Sequence, residues 1–223
     1  MDLTPLMLTF QLALVTTAVL LVLALPLAWW LATTRSPLKP IAEALVSMPL
    51  VLPPTVLGFY FLVLFSPADG LGLWLDRWLG IRLVFSFGGL VVVSLLYSLP
   101  FMVHPLQSGL SHLPASLREA AYVMGKSPLT TLFRVLLPNM KASLLTGIVL
   151  CFAHTVGEFG VVLMIGGSIP GQTRVASIAI YEAVEALNYP AAHAYSLILL
   201  GTSFLILLAV YLVNGGYFKR FWT

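Results

Sequence analysis

This sequence is short of charge. Asp, Glu, Lys and Arg make up 9% of its 223 residues, as 11 basic and 8 acidic side chains, where a soluble domain of that length carries roughly 56 at the usual 25%. Hydrophobic types make up 60% of the chain, and the mean hydropathy is +1.01. So few charges cannot cover so much apolar material, because the surface of a small globule is too large a share of it. Lipid must replace water over most of the exterior. The composition is that of an integral membrane protein.

Other shortages exclude further classes. The longest basic run is Lys219-Arg220, far from the clustered basic face that nucleic-acid binding needs. Disorder requires low hydrophobicity and high charge, the reverse of what is found. A single cysteine, Cys151, forms no internal disulfide and no four-ligand Cys/His zinc site; in its apolar run it reads as a buried, inert thiol. The N-terminal Met1-Asp2-Leu3-Thr4-Pro5 has no basic n-region. The apolar stretch behind it exceeds a signal-peptide core, so it is expected to be a retained span.

Long apolar runs are present in their place. A helix crosses a ~30 Å hydrocarbon core in about 20 residues, and five stretches meet that length: residues 6–31, 44–65, 83–106, 143–165 and 194–213. Runs such as Val19-Leu20-Leu21-Val22-Leu23 are apolar on every side, which is helix in lipid and not the alternation of a β-barrel. The expectation is one all-α transmembrane domain over residues 1–223, with room for an extra short helix near 175–187. Arg35, Lys39, Arg118, Lys126, Arg134, Lys141, Lys219 and Arg220 lie on one side of these spans, and Arg77, Arg82 and Arg174 on the other. The positive-inside rule then puts the C-terminus and the 113–138 loop in the cytoplasm and the N-terminus outside.

Prolines interrupt the spans: Pro26 in the first, Pro49, Pro53 and Pro54 in the second, Pro100 and Pro105 in the third. Each removes a backbone donor, and the freed carbonyls must find partners within a bundle or a wet cavity. Either these are packing kinks, or the second span lines a pathway. Glu158 is the one carboxylate within a span, and His154 precedes it by four residues on the same helical face. A buried ionisable group normally points into the bundle. The pair reads as a pathway or gate element, as a satisfied hydrogen-bonded pair, or as a carboxylate reaching Arg174. His104 reads as interfacial or packed.

The 113–138 loop carries the most specific pattern. Ser116 and Glu119 have the spacing of a capping box, predicting a helix from Leu117. Gly125 suits a left-handed stop, and Ser127-Pro128 an N-cap followed by proline at the first helical position. A second helix with Leu129, Leu132, Phe133, Leu136 and Leu137 on one face comes next, limited by Pro138. Gly125-Lys126-Ser127 imitates the end of a phosphate-binding loop. Ala120 stands where that motif requires its first glycine, however, and the setting is helical.

This knuckle resembles the EAA loop of permease subunits from bacterial binding-protein-dependent ABC importers. Glu119-Ala120-Ala121, three residues, Gly125, nine residues and then Val135-Leu136-Leu137-Pro138 match that pattern, with Val135 for isoleucine the one departure. The resemblance implies a type I importer bundle of about five transmembrane helices. It implies a coupling helix seated on a cytoplasmic ATP-binding subunit, with Glu119, Ala120, Ala121, Gly125 and Pro138 as the coupling residues. His154-Thr155-Val156-Gly157-Glu158-Phe159-Gly160, Ile165-Gly166-Gly167-Ser168-Ile169-Pro170-Gly171 and Ile180-Tyr181-Glu182-Ala183 are similar to the molybdate and sulfate importer permeases, and the chain length to the molybdate branch. This likeness implies an inner-membrane homodimer that carries molybdate, and tungstate with it. A periplasmic oxyanion-binding protein would supply the cargo, lipid would surround the bundle, and no nucleic acid, cofactor or metal would be bound by this chain.

Three functions of different kind compete. An importer permease is a gated conduit driven by partner ATPases, for molybdate or, as the alternative, for sulfate or thiosulfate. A proton-coupled secondary transporter using His154 and Glu158 predicts inverted repeats, which the two halves do not show. An intramembrane enzyme needs a nucleophile–base pair or an H-E-x-x-H metal site, and the spans hold neither. The importer permease accounts for the most residues.

Overall fold

The computed structural model describes residues 2–214, so Lys219 and Arg220 of the charge argument lie outside the described residues. All regular structure among the described residues is helical. Helix α1 (Thr4–Thr33) is one continuous rod in spite of Pro26. The next span is split into α2 (Lys39–Val51) and α3 (Pro54–Leu64), bent by 111°. The cause is local: Leu52 and Pro53 each precede a proline and are driven out of the helical region, to ψ 136 and 137. A short α4 (Gly70–Leu79) leads to α5 (Phe87–Tyr97) and α6 (Leu99–His112), bent by 42° at Ser98 just before Pro100.

The knuckle comprises α7 (Ala115–Val123), α8 (Pro128–Thr131), a π-turn over Leu132–Leu136 and α9 (Leu137–Asn139). A turn of 86° at Met140 then starts α10 (Lys141–Gly157), which is succeeded by α11 (Gly160–Gly166), α12 (Ala176–Glu185) and α13 (Tyr189–Asn214). Among the described residues two helices, α1 and α13, are long and apolar enough to cross a membrane alone; counting each bent pair as one span brings the number to at most five. The expected run 143–165 is not one helix but α10 and α11, broken at Glu158, where glycines at 157 and 160 weaken helix propagation. The short helix foreseen near 175–187 is α12.

Two apolar clusters are stacked along α1. Toward the knuckle, Leu20, Ala24, Ala28 and Leu31 pack with Met102, Val103 and Leu106 of α6, Cys151 of α10, and Leu132, Leu136 and Met140. At the opposite end, Leu8 and Leu12 pack with Leu90 and Val93 of α5, Val161 and Ile165 of α11, and Ile178 of α12. Thr9 joins α1 to α12: its hydroxyl donates to the Pro5 carbonyl at 2.8 Å and accepts from the Ala176 N–H at 2.8 Å. The breaks at Pro53, Ser98 and Glu158 fall between the two clusters.

Candidate functional site: a helix-break layer and a knuckle

At the knuckle, Pro114 precedes α7, and Ser116 lies within the helix with no side-chain cap bond. The capping box expected from Ser116 and Glu119 is therefore not formed: the chain enters helix two residues earlier, and Ser116 is already inside the first turn. The C-terminal reading holds. Gly125 has φ +69, its N–H donates to the Tyr122 carbonyl at 2.9 Å, and the Lys126 N–H donates to the Ala121 carbonyl at 3.0 Å. Those two bonds constitute a Schellman stop. Ser127 caps α8 by accepting from the Thr130 N–H at 3.2 Å, with Pro128 at the first position.

The second knuckle helix departs from the simple amphipathic expectation. Leu132 and Leu136 are buried, whereas Leu129 and Phe133 are exposed. The apolar residues thus divide between the core and an outer groove they form with Leu25 and Trp29. The helix ends at Asn139, one residue past Pro138, after a π-turn that widens the winding where the proline supplies no donor. Glu119, Ala120, Gly125 and Pro138 are exposed, and Ala121 is buried. Val123 is 89% exposed and Met124 66%, so α7 presents an apolar tip outward.

The second constellation lies at the far end of α10, about 25 Å along its axis from Lys141 at 1.5 Å per residue. There Ser94 Oγ of α5 donates to Glu158 Oε2 at 3.1 Å. Ser98 Oγ lies 2.9 Å from His154 Nδ1 and 3.0 Å from Thr155 Oγ1. The broken backbone is satisfied from α12, where Ser177 Oγ donates to the Glu158 carbonyl at 2.6 Å, as helix breaks in lipid require. The His154 ring stacks on Phe101 at 4.0 Å between centroids. Close packing holds α3 on α11: a Cβ at Gly160 would stand 2.7 Å from Pro54 Cβ, and one at Gly58 would stand 2.8 Å from Met164 Cβ.

His154 and Glu158 border the same cavity, at a break and not along one helix face, but each bonds a serine and not the other, so the hydrogen-bonded pair is not formed. The link from Glu158 to Arg174 is not made; Arg174 pairs with Glu182 at 2.8 Å. His104 is packed, 3.1 Å from Ser47 of α2. Ser94, Ser98, Thr155 and Ser177 escaped the sequence reading. Their signal was present as small hydroxyl residues within otherwise apolar runs, the type that bonds across helices in membranes. Together with the knuckle at the other end of α10, this gives a bundle with a polar break layer and an exposed helical tip.

Comparison with known proteins agrees with that layout. The chain is 48% identical over 211 residues to the molybdenum transport system permease protein ModB of Azotobacter vinelandii, covering 94% of this chain and 93% of that one. It is 35% identical over 187 residues to the sulfate transport system permease protein CysT of Synechocystis sp., covering 84% of this chain and 65% of that one. In fold it matches the MetNI methionine ABC transporter in inward-facing conformations, at a TM-score of 0.72 and 18% identity, covering 95% of this chain and 94% of that one. Residues 24–220 match the family described as binding-protein-dependent transport system inner membrane component, and the chain belongs to that family of ABC importer permeases.

Proposed function

We propose that this chain is the permease subunit of a molybdate importer, carrying tungstate as well. Two copies form the conduit, ATP-binding subunits dock on the cytoplasmic side, and a periplasmic oxyanion-binding protein delivers cargo. The observation that carries the reading is 48% identity to a molybdenum permease over nearly the whole of both chains, against 35% to a sulfate permease over 65% of a longer one. Chemistry supports the division of labour. Helices α3, α5, α10 and α11 hold one lysine or arginine, Lys141, at the knuckle end. A conduit without a cationic cage leaves discrimination to the binding protein, where preorganised donors enclose one size of tetrahedral anion.

The knuckle is the element by which ATP hydrolysis acts on the conduit. Glu119 to Gly125 form the helix that enters a groove on the ATPase, with the exposed Val123–Met124 tip as its apolar contact. On this reading the loop is cytoplasmic, the N-terminus is outside and the ATPase site belongs to the partner. Disrupting the gene should abolish molybdenum-enzyme activity at low external molybdate, with rescue by excess molybdate entering by another route. Sulfate auxotrophy with normal molybdenum enzymes would assign the chain to the sulfate branch instead.

A further inference from the structure

Packing does not account for the carboxyl group in the break layer. Glu158 is 6% exposed, Oε2 accepts from Ser94, and Oε1 is buried with no hydrogen-bond partner. A native fold leaves few buried polar atoms orphaned, and each such atom points to a missing partner. Among the described residues no cation is at hand to supply one. Helices α1, α3, α5 and α11 contain no charged residue, Lys141 of α10 is at its opposite end, and Arg174 is engaged by Glu182 of α12. The titratable groups facing Glu158 are His154 of the same span and Tyr97 of α5.

Glu158 lies in the wall of a cavity of about 540 Å³ that all three breaks share, with Oε1 buried behind the cavity surface: Pro54 and Thr55 open α3, Tyr97 closes α5, and His154, Glu158 and Gly160 flank the break after α10. This volume exceeds what a tetrahedral oxyanion occupies, at ~30 Å³ for each water-sized group. The wall offers hydroxyl, imidazole and carboxyl groups and no fixed positive charge.

Resting on the reading of the chain as an oxyanion conduit, we propose that this cavity is the transit station of the anion, and that Glu158 in its wall is a carboxylic acid whose Oε1–H turns from its buried position to donate a hydrogen bond to the anion as it passes. Ser94 holds the other oxygen and so aims the donor. A carboxylate there would stand without a counter-ion in low dielectric and would repel the cargo; the neutral acid does neither. One neutral donor binds a passing dianion without retaining it, as a lysine or arginine in the same place would.

The test is uptake of radiolabelled molybdate by the complete complex of permease, ATPase and binding protein in proteoliposomes, expressed per ATP hydrolysed. E158Q keeps a donor that cannot ionise and should transport within about threefold of the wild type. E158L keeps the bulk and loses the donor; its uptake per ATP should fall about tenfold or more, the scale of one hydrogen bond to an ion, while the binding protein still stimulates hydrolysis. Equal transport by E158L would overturn the proposal, as would E158Q falling as far as E158L, because that result requires the charge. Should E158L fail to assemble, T55C in a C151S background decides the matter, since molybdate during turnover should slow its modification by a small methanethiosulfonate. Absence of protection counts against the station. Failure of the wild-type complex to take up molybdate at all is a different result and refutes the substrate reading, not the role of Glu158.

Discussion

Replacing Gly125 tests the knuckle most directly, because its geometry separates backbone cost from packing cost. A Cβ at this position would meet nothing within 4 Å, so crowding contributes nothing. What remains is φ +69, where an L-residue pays about 1–2 kcal/mol for the left-handed conformation. That shifts the local equilibrium between the intact Schellman stop and a frayed end by a factor of roughly 5 to 30. Asparagine tolerates the same φ better, through local hydrogen bonding by its short side chain. Proline is fixed near φ −65° and has no N–H for the 2.9 Å bond to the Tyr122 carbonyl, at a cost of ~3 kcal/mol or more. The expected order of coupling, measured as uptake per ATP hydrolysed in the reconstituted complex, is therefore Gly, Asn, Ala, Pro. Membrane insertion should be unaffected throughout, because within α7 only Ala121 is buried. Normal coupling by Gly125→Pro, or an alanine variant that outperforms asparagine, would refute the claim that the left-handed stop sets the direction of the coupling helix.

Ser116→Ala should leave stability and transport unchanged, within about 0.5 kcal/mol, because Ser116 makes no cap bond; a loss of ATPase docking on purification would show that the hydroxyl serves the partner. In a Cys151→Ser background, a cysteine at Ser127 should be protected from an impermeant thiol reagent in intact cells while one at Gln172 reacts; the opposite pattern inverts the topology and removes the coupling assignment. Gly160→Ala places a methyl 2.7 Å from Pro54 Cβ and should lower thermal stability in detergent by about 1–3 kcal/mol of overpacking, with Gly160→Leu worse. An unchanged melting temperature for both would mean that α3 and α11 are not held together here.

How legible the molecule was depended on the range of the interaction. The Gly125 stop and the Ser127-Pro128 start were readable because each is settled within four residues by backbone geometry. The Ser116 box failed at the same range because two sites competed to begin the helix, and Pro114, whose φ −56 and ψ 133 suit a helix entry, took precedence. The upper count of five spans was readable from hydropathy, since lipid imposes length. The break at Glu158 was not, because one carboxylate between Gly157 and Gly160 weakens the helix without ending an apolar run that Val161 to Ile165 continue. What opens the helix there is support from distant residues: Ser94 is 64 positions away and Ser177 is 19. A hydrophobic profile has no access to partners at that separation.

The position of the breaks has a mechanical consequence for a conduit driven from the knuckle. Leu132, Leu136 and Met140 of the knuckle belong to the same apolar cluster as α6 and the lower part of α1, whereas α3, α5, α11 and α12 meet in the other cluster. Close-packed side chains transmit displacement well within a cluster, since interiors have low compressibility. A push on α7 therefore enters the inner cluster first. It reaches the outer one by two routes: the unbroken α1, and the bent joints at Ser98 and Glu158. Those joints are tied by a few hydroxyl bonds, Ser94 and Ser177 to Glu158 and Ser98 to His154 and Thr155, each of a strength, about 1 kcal/mol net, that the proposed ATP-driven motion would break readily. The layer that yields most easily is thus the layer that encloses the cavity, so on the proposed function one movement at the knuckle would both transmit force and reshape the passage.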